Sequence, residues 1–367
     1  MKIVHFSDLH LDVPFAWMGV AADVARERRN AQRRVLQRIA LLVVDEDADA
    51  LFCGGDLYEH DLFTPDTSAF LRDVFGGLAP RRVYLAPGNH DWLGPDSLYA
   101  TESWPGNVHI FDEDRLQPVT LDDGLTLWGA AHRAPANTDG FLDGFRVDRS
   151  GVHIALFHGA ELGSLHFEAE GKQPHAPFRE AQLTQAGLHH AFVGHYHRAR
   201  QTQLITYPGN PEPLSFGEDS GRGAVLATIG GDGSIQRQTY DVAETAISDI
   251  RVDVSGCGSR TEIVTAVEQA LKQHRGIVRA TIVGDVGADV DVQRSDLQGL
   301  RLPDIDACQY QLQLSAAYDL DAITHEKTVR GEFVREVREA QLDPNVERRV
   351  LVTGLRALAG RRDLEVS

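Results

Sequence analysis

Five short runs of the chain combine side chains that hold cations or move protons. They are Asp8-Leu9-His10, Gly55-Asp56, Gly88-Asn89-His90-Asp91, His158-Gly159 and Gly194-His195-Tyr196-His197. Together they offer the carboxylates of Asp8 and Asp56, the amide oxygen of Asn89 and the imidazoles of His10, His158, His195 and His197, with a further imidazole at His90. Mixed oxygen and nitrogen donors suit Mn²⁺, Fe or Zn²⁺ rather than Ca²⁺ or Mg²⁺, which take oxygen almost exclusively. Such a set is too large for one ion and right for two that share a carboxylate. A single histidine among the 16 in this chain reads as a surface or core residue. Asp8 alone reads as a helix cap, and Asp56 alone as a turn residue. Neither reading explains the companion motifs.

The elements around these runs explain how they could meet. Each run follows a stretch patterned as a strand: 2–6, 50–53, 82–86, 152–157 and 190–193. Loops at strand ends are where a rigid sheet aims several side chains at one point, and the glycines let the backbone turn sharply there. Helices are expected over 23–45, with Val35, Ile39, Leu42 and Val43 on one face, and over 66–78. Further strands are expected at 125–130, 204–207, 224–229 and 235–240, separated by turn residues such as Gly230-Gly231-Asp232-Gly233. The pattern is α/β, with parallel pairing early and antiparallel pairing later. Near residue 246 the texture changes. Strands are expected at 247–254, 278–283 and 309–315 with a helix over 259–274, then two amphipathic helices at 324–341 and 344–359 around Asp343-Pro344.

Taken in order, the five motifs resemble the calcineurin-type metallophosphoesterases, and within them the SbcD-type DNA-repair exonucleases, the YhaO-like branch especially. The opening IVHFSDLHLD, GGDLY, LAPGNHD, VGHYH, the run YPGNPEPLSFGE at 207–218 and TVRGEFVREV at 328–337 carry that resemblance. It implies a two-sheet phosphoesterase core sandwiched by helices over 1–245, a smaller α/β capping domain over 246–320 and a helical C-terminal tail over 321–367. It also implies two divalent ions, most simply Mn²⁺, ~3.5–4 Å apart and clamping a phosphodiester. One would take Asp8, His10, Asp56 and His197. The other would take Asp56, Asn89, His158 and His195, with Asp56 bridging. His90 would face the departing oxygen and protonate it. Three residues after Asp56, archaeal relatives carry a histidine that helps present DNA, and related phosphatases an aspartate that orients the catalytic histidine. This chain has Glu59, with His60 next. Glu59 is therefore expected to orient His90.

The expected activity is a metal-dependent nuclease working in DNA repair as a homodimer with an SMC-like ATPase of the SbcC or YhaN type. The alternative is a phosphatase or phosphodiesterase on small-molecule or protein substrates using the same site. No Gly-x-x-x-x-Gly-Lys-[Ser/Thr] run is present, so ATP chemistry would come from the partner, and no Gly-x-Ser-x-Gly elbow points to a serine hydrolase. The tail would present an apolar face (Val329, Phe333, Val334, Val337) to that ATPase. With 36 Lys+Arg against 54 Asp+Glu, a net −18 rules out a globally basic nucleic-acid coat. A local patch is still present, because residues 26–38 hold Arg26, Arg28, Arg29, Arg33, Arg34 and Arg38 against Glu27 alone. Arg26, Arg29 and Arg33 are the candidate phosphate contacts; the bland alternative is a solvated helix face. The apolar loop Phe15-Ala16-Trp17-Met18 reads either as a wedge against substrate or, for Phe15, as core. Cys53, Cys257 and Cys308 share no close spacing, which speaks against a disulfide framework. The opening residues lack the apolar run of a signal peptide, and no segment is long and apolar enough to span a membrane, so a cytoplasmic protein is expected.

Overall fold

The computed structural model describes residues 1–15, 21–136, 140–163, 174–218, 222–287 and 290–360. Of the apolar loop after Asp8, only Phe15 falls among them. The chain divides into two compact units, Met1–Ala246 and Ile247–Ser367.

The first unit contains β1 (Lys2–Phe6), β2 (Ala50–Cys53), β3 (Arg82–Leu85), β4 (Val108–Ile110), β5 (Gln117–Asp122) and β6 (Leu125–Gly129). It continues with β7 (Val152–His158), β8 (His190–Gly194), β9 (Arg200–Gln201), β10 (Ile205–Tyr207), β11 (Ala224–Ile229) and β12 (Ile235–Tyr240). One six-stranded sheet runs β12-β11-β1-β2-β3-β4 and a second runs β5-β6-β7-β8-β10-β9. Strands buried on both faces need continuous apolar runs, and β2, β7 and β8 are buried at every position. Alternate side chains then serve different layers. Ile3, Phe52, Ile154, Leu156 and Phe192 fill the space between the sheets. Val4, Phe6 and Leu51 turn the other way, onto Val35, Leu36 and Ile39 of helix α1 (Ala22–Asp45) and Leu71 and Phe75 of helix α2 (Pro65–Gly76). On the outer face of the second sheet, Ala155, Phe157 and Val193 pack with Leu183.

The strand pairing differs from expectation in the second sheet. Its strands β6, β7, β8 and β10 pair parallel, and antiparallel pairing is confined to β5/β6 and β10/β9 there and to β1/β11 and β11/β12 in the first sheet. Connection length is the reason. Tight turns join β5 to β6, β9 to β10 and β11 to β12, whereas long segments separate β6, β7 and β8 and permit crossovers. The outcome places the C-terminal ends of β1, β2, β3, β7 and β8 at one end of the sandwich, where the five motifs begin.

The second unit has an all-parallel sheet β13-β14-β15, with β13 at Ile247–Asp253, β14 at Gly276–Gly287 and β15 at Ile305–Ala317. Helix Arg260–Leu271 buries Ile263, Val267 and Leu271 with Val278, Ala280 and Ile282. Beyond it, helices Leu320–Thr324, Val329–Glu339 and Pro344–Leu358 share a small core of Ile323, Val334, Val337, Leu351 and Leu355. Much of the apolar face expected to be offered to a partner is thus turned inward. Phe333 packs where Gly354 has no side chain, since a Cβ there would lie 2.1 Å from the ring. Val329 remains outside, 74% exposed. No helix among the described residues is long and apolar enough to cross a membrane.

Candidate metal centre

Each motif leaves its strand with an abrupt change of backbone. Asp8, His10 and Asp56 have φ of 57°, 52° and 51°, and His195 has φ of 113°. Non-glycine residues avoid this left-handed region, so four such residues at one place mark a backbone held there by its surroundings. Two carboxylates help hold it. Asp8 accepts the His195 backbone N–H at 2.9 Å, tying the β1 loop to the β8 loop. Asp91 accepts from the backbone N–H of Asp56 (3.0 Å), Leu57 (2.8 Å) and Gly88 (2.6 Å) and from the Tyr99 hydroxyl (2.6 Å). The loops after β2 and β3 are thereby locked together. Gly88 is required by contact, because a Cβ there would sit 2.3 Å from Asp56 Oδ1.

The side chains converge. His158 Nε2 lies 3.2 Å from Asp56 Oδ2, 3.1 Å from Asn89 Oδ1 and 3.2 Å from His195 Nδ1. Ligand-type atoms of Asp8, His10 and His197 lie within 4.8 Å of one another, as do those of Asp8, Asp56 and His158 and those of His10, Asp56 and His90. All seven expected ligand residues therefore meet at this end of the unit, with His90 beside them. Asp8, His10, Asp56, Asn89 and His158 are buried. His90 is half-exposed, and its backbone N–H donates to Asp56 Oδ1 at 2.8 Å.

Most of the imidazoles are oriented from behind. His10 Nδ1–H donates to Glu59 Oε1 at 2.7 Å, and His90 Nδ1–H donates to Glu59 Oε2 at 3.0 Å. One carboxylate thus holds both rings. His197 Nδ1–H donates to Glu218 Oε1 at 3.0 Å, and His158 Nδ1–H donates to the Gly54 carbonyl at 2.8 Å. These bonds leave Nε2 of His10, His158 and His197 as the atom available to a ligand. Helix α1 contributes through Gln32, whose Nε2 donates to the carbonyls of Leu9 (2.7 Å) and His10 (2.8 Å).

The electrostatics follow from burial and opposite charge. For Glu59, burial works against ionisation, but the His10 and His90 bonds outweigh it and bring the carboxyl down to about 2. Partial desolvation opposes protonation of half-exposed His90, yet Glu59 and then Asp56 raise it to about 9. Burial depresses His195, and a neighbouring His158 charge adds to that. The donor set fits cations. The buried Nε2 of His10 makes no hydrogen bond among the described residues, although it lies 3.7 Å from Asp56 Oδ2. A nitrogen left unpartnered in a buried anionic pocket, on a strained backbone, is what a site shaped for a metal would carry without its ion.

The remaining expected residues lie apart from this group. Arg33 pairs with Asp66 at 2.6 Å and with Asp12 at 3.7 Å. Arg29 Nη1 reaches the Pro14 carbonyl at 3.5 Å, and Arg26 is exposed, with no hydrogen bond or ion pair among the described residues. Phe15 is fully buried, with the Arg28 guanidinium 4.9 Å from its ring centroid. His60 stacks on Trp92, ring centroids 3.8 Å apart. Sequence reasoning did not assign roles to Asp91, Gln32 or Glu218. Asp91 sits inside a recognised motif, and Glu218 closes the run 207–218, but neither position states which atoms it touches.

Residues 1–199 match the family model described as calcineurin-like phosphoesterase. The chain is 26% identical over 288 residues to the uncharacterized metallophosphoesterase YhaO of Bacillus subtilis, covering 75% of this chain and 68% of that protein. It is 26% identical over 321 residues to the DNA double-strand break repair protein Mre11 of Methanopyrus kandleri, covering 78% of this chain and 66% of that one. Among solved structures, TT1561 of Thermus thermophilus aligns with a TM-score of 0.38 at 12% identity, over 65% of this chain and 98% of that one.

Proposed function

The chain belongs to the calcineurin-like phosphoesterase family, whose members hydrolyse phosphoester bonds at a dinuclear divalent-metal site, and from that premise we propose that it is a nuclease cutting DNA phosphodiesters. The observation that carries the reading is the convergence of Asp8, His10, Asp56, Asn89, His158, His195 and His197 around an unpartnered buried nitrogen. Asp8, His10, Asp56 and His197 would hold one ion and Asp56, Asn89, His158 and His195 the other, with Asp56 shared. Mixed N/O donors favour Mn²⁺, with Fe or Zn²⁺ as alternatives. Ions held there would supply Lewis acidity toward the phosphoryl group and acidify water. The chain's own groups do the rest. Asp91 and Asp8 fix the loops. Glu59 holds His90 by Nδ1, which leaves Nε2 to give a proton to the departing oxygen.

DNA as substrate is supported by the likeness to a break-repair protein and by the second unit, which a small-substrate phosphatase does not need. In the same reading residues 246–320 would be the α/β capping domain and 321–367 the helical tail. On this reading the protein would work in the cytoplasm as a homodimer with an SMC-like ATPase of the SbcC or YhaN type. The test is direct. Purified chain with Mn²⁺ is offered linear duplex DNA, single-stranded DNA, bis-p-nitrophenyl phosphate and p-nitrophenyl phosphate. The expected result is cleavage of DNA and the diester, abolished by chelator. Turnover of the monoester alone would replace the nuclease with a phosphatase.

A further inference from the structure

The two halves of the proposed centre are backed differently. Both imidazoles of the Asp8/His10/His197 group donate Nδ1–H to carboxylates, His10 to Glu59 at 2.7 Å and His197 to Glu218 at 3.0 Å. In the other group, His158 donates to a neutral carbonyl, that of Gly54. A carboxylate behind a ligating imidazole fixes its tautomer and makes the ligand nitrogen more basic; a carbonyl does the first and less of the second. The first group also counts Asp8, whose carboxylate comes near Asp56 and His158 as well, while Asp56 is common to both.

We infer that the two metal positions are unequal, with the Asp8/His10/His197 position binding its ion more tightly, and that Glu218 is a positioning residue that sets this difference through His197. The inference deepens the dinuclear reading above and rests on it. The atoms of Glu218 divide the work. Oε2 accepts from Asn210 Nδ2 (2.6 Å), Leu214 N (2.7 Å), Ser215 N (3.3 Å) and Arg222 Nη1 (3.3 Å), which places the carboxylate. Oε1 accepts from Ser215 Oγ at 2.8 Å and from His197.

This division predicts what an amide would do. In Glu218→Gln the loop donors demand an oxygen at the Oε2 position, so the amide nitrogen is steered toward His197. An N–H facing Nδ1 makes that nitrogen the acceptor and puts the ring proton on Nε2, the atom needed by the metal. The loop keeps its acceptor while the ligand is turned off.

The experiment titrates metal-stripped, full-length chain with Mn²⁺ by calorimetry, with metal analysis after gel filtration. Wild type is expected to show two classes of site. E218Q should weaken the tighter class by about 10–100-fold and leave the other in place. Glu218→Asp should restore part of the loss. Glu59→Gln acts on the other imidazole of the same position and should weaken the same class, which covers the case of a misfolded E218Q. Asp56→Asn should weaken both. If E218Q and Glu59→Gln leave the tighter class unchanged, or E218Q lowers both classes equally, the inference is overturned while the Asp56→Asn result keeps the dinuclear reading. A wild-type chain that takes up no Mn²⁺, or an Asp56→Asn variant that binds both ions as before, removes the dinuclear reading and this inference together.

Discussion

The loops at the strand ends and helix Ala22–Asp45 are both crowded with charge, and they dispose of it in opposite ways. In the loops, Asp8 and Asp56 are buried near one another with no arginine or lysine among the described residues bonded to either, and the imidazoles around them point a nitrogen at shared space. On the helix the arginines are mostly neutralised. Arg28 pairs with Glu212 at 3.1 Å, Arg33 with Asp66 at 2.6 Å, Arg34 with Glu27 at 2.7 Å and Arg38 with Glu244 at 2.9 Å. In the sequence the five motifs read as one metal-binding set, and the arginine run read either as a surface for phosphates or as a solvated helix face. The structure brings the motif residues together at one end of the first unit, and it pairs most of the arginines with acids. Charge matters to function where it is left uncompensated, which spacing along the chain does not report.

The largest effect that would sharpen this contrast is expected at Asp56. Asp56→Asn should abolish turnover and strip bound metal, read by metal analysis beside the diester assay; retention of two ions with near-native turnover would break the loop side of the comparison. Arg28→Ala tests the helix side. Both members of its ion pair are buried, and removing the cation leaves Glu212 with donors from Glu244 and Thr245 but no ion-pair partner among the described residues. Burial already pushes the Glu212 carboxyl up in spite of Arg28, so partial neutralisation would soften the loss. A stability loss of ~3 kcal/mol is expected in denaturant titration, and an unchanged midpoint would show that the paired arginine is dispensable. His90→Ala should keep its metal and lose about 10²–10³-fold in rate, the usual cost of one transition-state donor; loss of metal in that variant would make His90 a ligand. The smallest effect belongs to the arginines with no salt bridge among the described residues. Replacing Arg26 and Arg29 with Ala should flatten the salt dependence of DNA binding by ~1–2 units of log–log slope. Adding Arg33→Ala should change it little further, because Asp66 and Asp12 already occupy that guanidinium.

What the sequence could state, and what it could not, divides along the same line. Residue type and order sufficed to gather Asp8, His10, Asp56, Asn89, His90, His158, His195 and His197, because a strand running straight into a donor, often beside a glycine, is a local pattern. The central strands were legible for a similar reason, being continuous apolar runs. Strand Gln117–Asp122 was not, since it is an edge strand with mostly exposed side chains, and Arg200–Gln201 is too short for any period to register. Glu218, Gln32 and the second bond of Glu59 escaped because their meaning lies in contacts made across the fold. Glu59 faces His10 from 49 residues away, and Gln32 caps the same loop from the next helix. Parallel pairing in the second sheet was missed because strand direction depends on connections whose path the sequence does not draw.

The place of β1 in its sheet carries a consequence for how the centre comes into being. This strand, which delivers Asp8 and His10, lies between β2 and β11, and it pairs with Ala224–Ile229 at the far end of the unit. Arg28 likewise finds Glu212 184 residues away. As the chain leaves the ribosome, the first two motifs emerge early, but the strand that flanks β1 and the carboxylate that backs His197 emerge far later. Contacts of such long sequence separation form late, after shorter loops have closed. The centre is therefore completed only when the whole first unit is available to fold, and a growing chain does not yet carry the finished set of converging side chains.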